Sequence, residues 1–131
     1  MSAIEFYWTE TGRAEYRAKD SRLDCIGMWL VGDVQADHST CLDLLADLDD
    51  IANGRKETES WEGNAWAAEL SAQGVDLQNL WRDALSAHYT LAETRRIADQ
   101  YWRLLAGEPE RGPALARWEE RNGRRHPYPG L

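Results

Sequence analysis

The chain opens on a period of two. Ile4, Phe6 and Trp8 fall on one side and Glu5, Tyr7 and Thr9 on the other, the mark of a half-buried strand. Glu10-Thr11-Gly12-Arg13 supplies a turn, and Ala14, Tyr16 and Ala18 then alternate with Glu15, Arg17 and Lys19, which predicts an antiparallel partner. After a polar stretch at Asp20–Asp24, the run Cys25-Ile26-Gly27-Met28-Trp29-Leu30-Val31 is apolar on both faces, the pattern of a central strand. The first third therefore reads as a three-stranded antiparallel meander.

The period then lengthens. Leu44, Leu45, Leu48, Ile51 and Ala52 recur at three- and four-residue spacing while Asp43, Asp47 and Asp50 fall opposite them, which predicts an amphipathic helix with an exposed acidic face. Ser39 suits its N-cap, and Gly54 before Arg55-Lys56 suits its end. Trp61, Trp66, Ala68 and Leu70 follow in one strand, bent or bulged at Gly63-Asn64, with Ala72-Gln73-Gly74 as a turn and Val75–Trp81 as its hairpin partner. Thr90 and Glu93 have the spacing of a capping box; Ile97, Tyr101, Leu104 and Leu105 make the stripe behind it, and Gly107 and Pro109 end it. Pro113 then opens a short helix through Arg121, carrying Leu115 and Trp118. The order β-β-β-α-β-β-α-α is that of an α+β fold, an antiparallel sheet of about five strands with helices packed on one face.

The length of 131 residues suits one core. Residues 1–107 read as a single α+β domain and 108–131 as a short C-terminal helix with an irregular basic tail, Arg124-Arg125-His126-Pro127-Tyr128-Pro129-Gly130. Charge divides the same way: the formal net charge is −8, yet residues 111–131 hold five basic side chains and two acidic ones. An acidic chain is a poor phosphate binder but a suitable partner for a basic protein. The first residues lack the basic start and unbroken apolar run of a signal peptide, and no stretch approaches a membrane span. The expectation is a cytoplasmic protein with Cys25 and Cys41 reduced.

Candidate chemistry is sparse. His38, His88, His126 and the two cysteines lie far apart in the chain and match no metal-ligand spacing, and Asp47–Gly54 misplaces the glycine and bidentate glutamate of a calcium loop. Asp37-His38-Ser39 are chain neighbours and cannot converge as a relay; Cys41 in a helix's first turn is the one candidate reactive thiol. No catalytic residue, cofactor or metal is expected, and an enzymatic reading would need a pocket lined by Cys41, His38 or His88. The informative feature is a surface. From Asp33 to Glu62 nine acidic residues face two basic ones, and Trp61 stands among carboxylates in Thr58-Glu59-Ser60-Trp61-Glu62-Gly63-Asn64. Asp43, Asp47, Asp50, Glu57, Glu59, Trp61 and Glu62 are the partner-binding candidates: carboxylates steer a cationic surface, and tryptophan is enriched among interface anchors.

Phe6, Thr11-Gly12, Arg17, Ile26-Gly27-x-Trp29, Val34, the leucine-rich helix, Gly54, Trp61, Leu70, Val75 and Trp102-Arg103 together resemble the YacL-like family of small bacterial proteins over about residues 4–105. That family has a longer acidic stretch between its last strand and last helix, and it has no established catalytic residues to carry over. Trp61-Glu62-Gly63-Asn64 before a hairpin also looks like the small acidic immunity proteins of bacterial toxin systems, of the contact-dependent growth inhibition type. That likeness implies a cognate basic toxin as partner, a nuclease whose active or substrate-binding surface this chain would occlude. The YacL-like resemblance implies instead a housekeeping protein that binds another macromolecule.

Overall fold

The computed structural model describes residues 3–128. Of the irregular ending expected from Arg124, Pro129 and Gly130 lie outside the described residues. The class is α+β, with all strand pairs antiparallel, but the strands form two sheets. β1 (Ile4–Trp8) and β2 (Ala14–Ala18) make a hairpin with Phe6 opposite Tyr16. The second sheet has the order β3 (Thr58–Glu62), β4 (Trp66–Ser71), β5 (Gly74–Asn79) and β6 (Ser86–Tyr89). Four helices complete the described chain: α1 (Asp24–Trp29), α2 (His38–Ala52), α3 (Leu91–Leu105) and α4 (Glu108–Asn122).

The expected single five-stranded sheet fails because the third strand of the meander is a helix. A short run that is apolar all round fits a buried helix as well as a central strand. Here Leu23, Ile26, Leu30 and Val34 are buried at helical spacing, and α1 runs on through a π-helical turn at Leu30–Val34. The polar stretch before it hides the start, since the Asp20 carboxylate accepts from the Arg22 backbone N–H and caps a 3₁₀ turn that leads into α1. Gly27 belongs to this packing: a Cβ there would collide with the Tyr16 ring of β2.

Elsewhere the elements form with shifted limits. Asp37, not Ser39, caps α2, its side chain accepting from the backbone N–H groups of Ser39 and Thr40. Of the bend or bulge expected at Gly63-Asn64 the chain shows the bend, as the tight turn between two separate strands, closed by the Gly63 N–H to the Trp66 carbonyl. β6 was not expected, although Leu85, Ala87 and Tyr89 alternate with exposed Ser86 and His88. Pro109 sits in the first turn of α4, so this helix starts five residues before Pro113, at Glu108, and holds that proline inside.

The four-stranded sheet buries one face. Trp66, Ala68, Leu70, Val75, Leu77 and Tyr89 point into the core while Glu69, Asp76, Gln78 and His88 remain outside. The helices lie on the buried side, α2 against β4, α3 against β5 and α1 against β6. Leu42, Leu44, Leu45 and Leu48 of α2 fill the centre with Trp29 and Trp102. The N-terminal hairpin closes over α3, where the Phe6 ring meets Tyr101 at 4.9 Å between centroids. Trp8, on the same apolar side of the strand as Ile4 and Phe6, is nevertheless 44% exposed at the hairpin's outer end. α4 packs on α2 and adds Ala114 and Trp118 to the core cluster.

Candidate functional site

The acidic residues singled out along α2 divide into two groups with different surroundings. Asp43 and Asp47 are one helical turn apart and share a face. Each is capped by an indole: Trp118 Nε1 donates to Asp43 at 2.8 Å, and Trp61 Nε1 donates to Asp47 at 2.9 Å. Lys56 then bridges Asp47 and Glu59 at 2.8 and 2.9 Å, and these carboxylates hold its ammonium above the usual lysine range. Glu62 is exposed at the end of β3, and its side chain makes no hydrogen bond with the described residues.

These groups line one open polar cleft of about 470 Å³ between α2, β3 and α4. It gathers Asp43, Asp47, Glu59, Trp61 and Glu62 of the sequence candidates, with Lys56 and Arg124 as the cations on its wall. Trp61 is only half open to it, because its ring lies edge-on to Trp29 at 6.3 Å. An edge-to-face aromatic pair and a satisfied indole N–H hold this side chain firmly in the protein's own structure.

Asp50 is elsewhere. It is 4% exposed, and its carboxylate lies between Arg55 Nε at 2.8 Å and Arg124 Nη2 at 2.9 Å. Burial alone would raise its pKa, but the two guanidiniums outweigh that and hold the carboxyl below the usual range. Asp49 beside it is just as buried and accepts from Arg55 at 2.7 Å and Arg95 at 2.9 Å. The chain Arg95–Asp49–Arg55–Asp50–Arg124 ties α3, α2, the loop after α2 and the C-terminal segment together. The expectation that Asp43, Asp47 and Asp50 form one exposed stripe therefore does not hold: the tail's own basic residues cover part of it. Glu57 lies in the loop before β3, exposed, outside the cleft lining and with no side-chain partner among the described residues.

The residues named for an enzymatic reading are not brought together. His38 lines a cavity of about 590 Å³ between the start of α2 and α4, and its Nε2 is engaged with the Leu105 carbonyl at 2.8 Å. Cys41 does not line that cavity; it is fully buried, and burial pushes its thiol far above the ordinary value, which makes it inert as a nucleophile. His88 is on the open face of the sheet, paired with Asp76 at 2.7 Å. Among the described residues no three His, Cys, Asp or Glu side chains are grouped to hold a metal ion, and no helix is long and apolar enough to cross a membrane.

Sequence reasoning passed over two features. The partnership of Trp118, Arg121 and Arg124 with the α2 aspartates was signalled by the basic tail of an acidic chain, since such segments complement each other. Trp81 was read as the end of a strand; it is 78% exposed in the loop after β5. The chain matches no protein-family model, no curated protein and no solved structure.

Proposed function

We propose that this chain is a small binding protein that acts by occupying a basic protein partner, and that its activity is that of an immunity protein. The partner would be a cognate toxin, a nuclease, whose cationic substrate-binding surface would be covered. The observation that supports this reading is the cleft between α2, β3 and α4, where four carboxylates meet two cations beside an indole wall. Nucleases bind polyphosphate with clustered Lys and Arg, and an acidic cleft competes for the same groups. No catalysis by this chain is invoked, and its site of action is the cytoplasm.

The test follows from which carboxylates are unengaged. Charge reversal at Asp50 would set an ammonium between two guanidiniums and disrupt the fold, so it cannot separate binding from folding. Glu57 and Glu62 are exposed and unpaired within the described chain, and Glu57→Lys/Glu62→Lys should fold normally. Co-expression with the product of each neighbouring gene should reveal one toxic product that this chain neutralises. The double reversal should then slow association and flatten its salt dependence. Absence of any toxic neighbour, or neutralisation indifferent to both reversal and salt, would overturn the reading.

A further inference from the structure

The turn between β3 and β4 and the loop between β5 and β6 meet at one end of the four-stranded sheet. Leu80 N–H donates to the Ala65 carbonyl at 2.8 Å, and Trp81 Nε1 donates to the Asn64 carbonyl at 3.0 Å. The Asn79 side chain, nearly buried, accepts from both the Trp81 and the Arg82 backbone N–H at 2.9 Å. From the other side Asp33 accepts from the N–H groups of Ala65 and Trp66, and Gly63 is required because a Cβ would strike the Asp33 carboxylate. The turn and loop are thus fixed from both sides, and the Trp81 indole is held by its own N–H.

What this rigid corner displays is apolar. Trp81 is 78% exposed and Leu80 beside it is 40% exposed. The Trp81 ring packs into no core, so the fold gains little from it. An aromatic side chain already fixed in place loses little conformational freedom on binding, which is the property of an interface anchor. The surrounding charge selects the occupant. Glu62 leads into the Asn64 turn and also lines the acidic cleft, and Asp83 follows Arg82 in the loop beside Trp81, both carboxylates exposed.

We infer that Trp81 is the anchor of the partner interface: a guanidinium of the cationic protein stacks on the exposed face of its indole, with Glu62 neutralising the charge from the cleft side. Arginine is the preferred cation for such stacking on tryptophan. This rests on the reading of a basic protein partner, and it moves the anchor from Trp61, which the fold already uses, to Trp81, which it does not.

The probe is a short peptide of alternating arginine and glycine, with counterparts carrying lysine or glutamate in place of arginine. The full ¹⁵N-labelled chain is titrated at low salt while its indole N–H resonances are followed; the Trp81 resonance is identified by its loss in Trp81→Phe. The arginine peptide should shift the Trp81 resonance most, the lysine peptide less and the glutamate peptide not at all. Trp81→Ala should weaken arginine-peptide binding about three- to tenfold with an unchanged thermal midpoint, and Trp81→Phe, which keeps an aromatic face, should recover part of it. Unchanged affinity in Trp81→Ala, with shifts confined to Trp61 and the cleft, would overturn the anchor and leave the acidic binding reading standing. Equal shifts of Trp81 by the glutamate peptide would overturn its selectivity for cations. No shift anywhere with the arginine peptide would overturn the cationic partner itself, and the anchor with it.

Discussion

Trp61 and Trp118 stand along the acidic face of α2, and Trp81 stands at the end of the sheet; all three have carboxylates nearby and all three donate their indole N–H. The difference lies in the acceptor and in what covers the ring. Trp61 and Trp118 donate to Asp47 and Asp43, one is half-buried and the other 2% exposed, and Lys56, Arg121 and Arg124 neutralise the acids around them. Trp81 donates to a backbone carbonyl and keeps its ring in water. A count of acids and tryptophans does not distinguish these regions, because part of the charge in the first is already paired within the molecule. The two indoles of the first region are used by the fold, and the ring of the second is not.

The contrast breaks most sharply at Trp118. Trp118→Ala removes a buried indole from the core and leaves Asp43 with only Arg121, so stability should fall by about 3–5 kcal/mol in denaturant unfolding. Trp118→Phe keeps most of the apolar contact and should lose less, about 1.5–3 kcal/mol, the hydrogen bond to a charged acceptor. A loss as small for alanine as for phenylalanine would mean that α4 is not part of the same folding unit.

Next in size is Asp49. Its carboxylate is buried between Arg55 and Arg95, and Asp49→Ala leaves the partly buried Arg95 guanidinium without an acid, at a cost of about 3 kcal/mol. The same substitution at Glu62, exposed and unpaired, should change stability by less than about 0.5 kcal/mol. Thermal melts of the pair measure directly which carboxylates belong to the fold and which to the surface.

How much of this was legible depended on the length of the period. The hairpin of β1 and β2, the leucine stripe of α2 and the Thr90-capped α3 each repeat long enough to fix their type. Glu93 shows the limit of a motif: Thr90 does accept from the Glu93 N–H, but the Glu93 carboxylate turns away to pair with Arg22. Cys25–Val31 was too short and too uniformly apolar to separate helix from strand. Five of the seven candidate site residues do line one cleft, because α2 and β3 are close in sequence and joined by a tight loop. The masking of Asp50 was not legible, since Arg124 lies 74 positions away and only tertiary packing brings it back.

Acid offers a milder break in the first region. His126 donates from Nε2 to the Leu42 carbonyl, and its Nδ1 accepts from the Tyr128 N–H, so the docked ring is the neutral tautomer. Burial, with Arg124 nearby, lowers its pKa, against the opposing pull of the Leu42 carbonyl, Glu119 and Asp49. A lowered folded-state pKa contributes stability that is complete above the unfolded value of about 6.5 and is lost as pH falls through the folded value. Asp50 adds a second loss of the same sign below about pH 4, where the unfolded carboxyl starts to take up protons and its two guanidiniums oppose protonation in the fold. Melting points read from pH 7 to pH 3 should fall in two stages, and His126→Gln should remove the upper one.

Among the tryptophans, the smallest expected effect is the most telling. Trp81→Ala deletes the most exposed large apolar side chain of the described residues, and its only polar loss is one exposed hydrogen bond to Asn64. Stability should change by less than about 1 kcal/mol, because no core contact is removed and the loop keeps its Asn79 bonds and the Leu80–Ala65 link. A tryptophan whose deletion the fold barely registers is one that the fold does not need. If Trp81→Ala instead destabilised the chain as much as Trp118→Ala, the ring would have to pack on the β3–β4 turn more closely than its exposure allows. The distinction between a stabilising and a contacting tryptophan would then collapse, and the sheet end would be one more edge of the core.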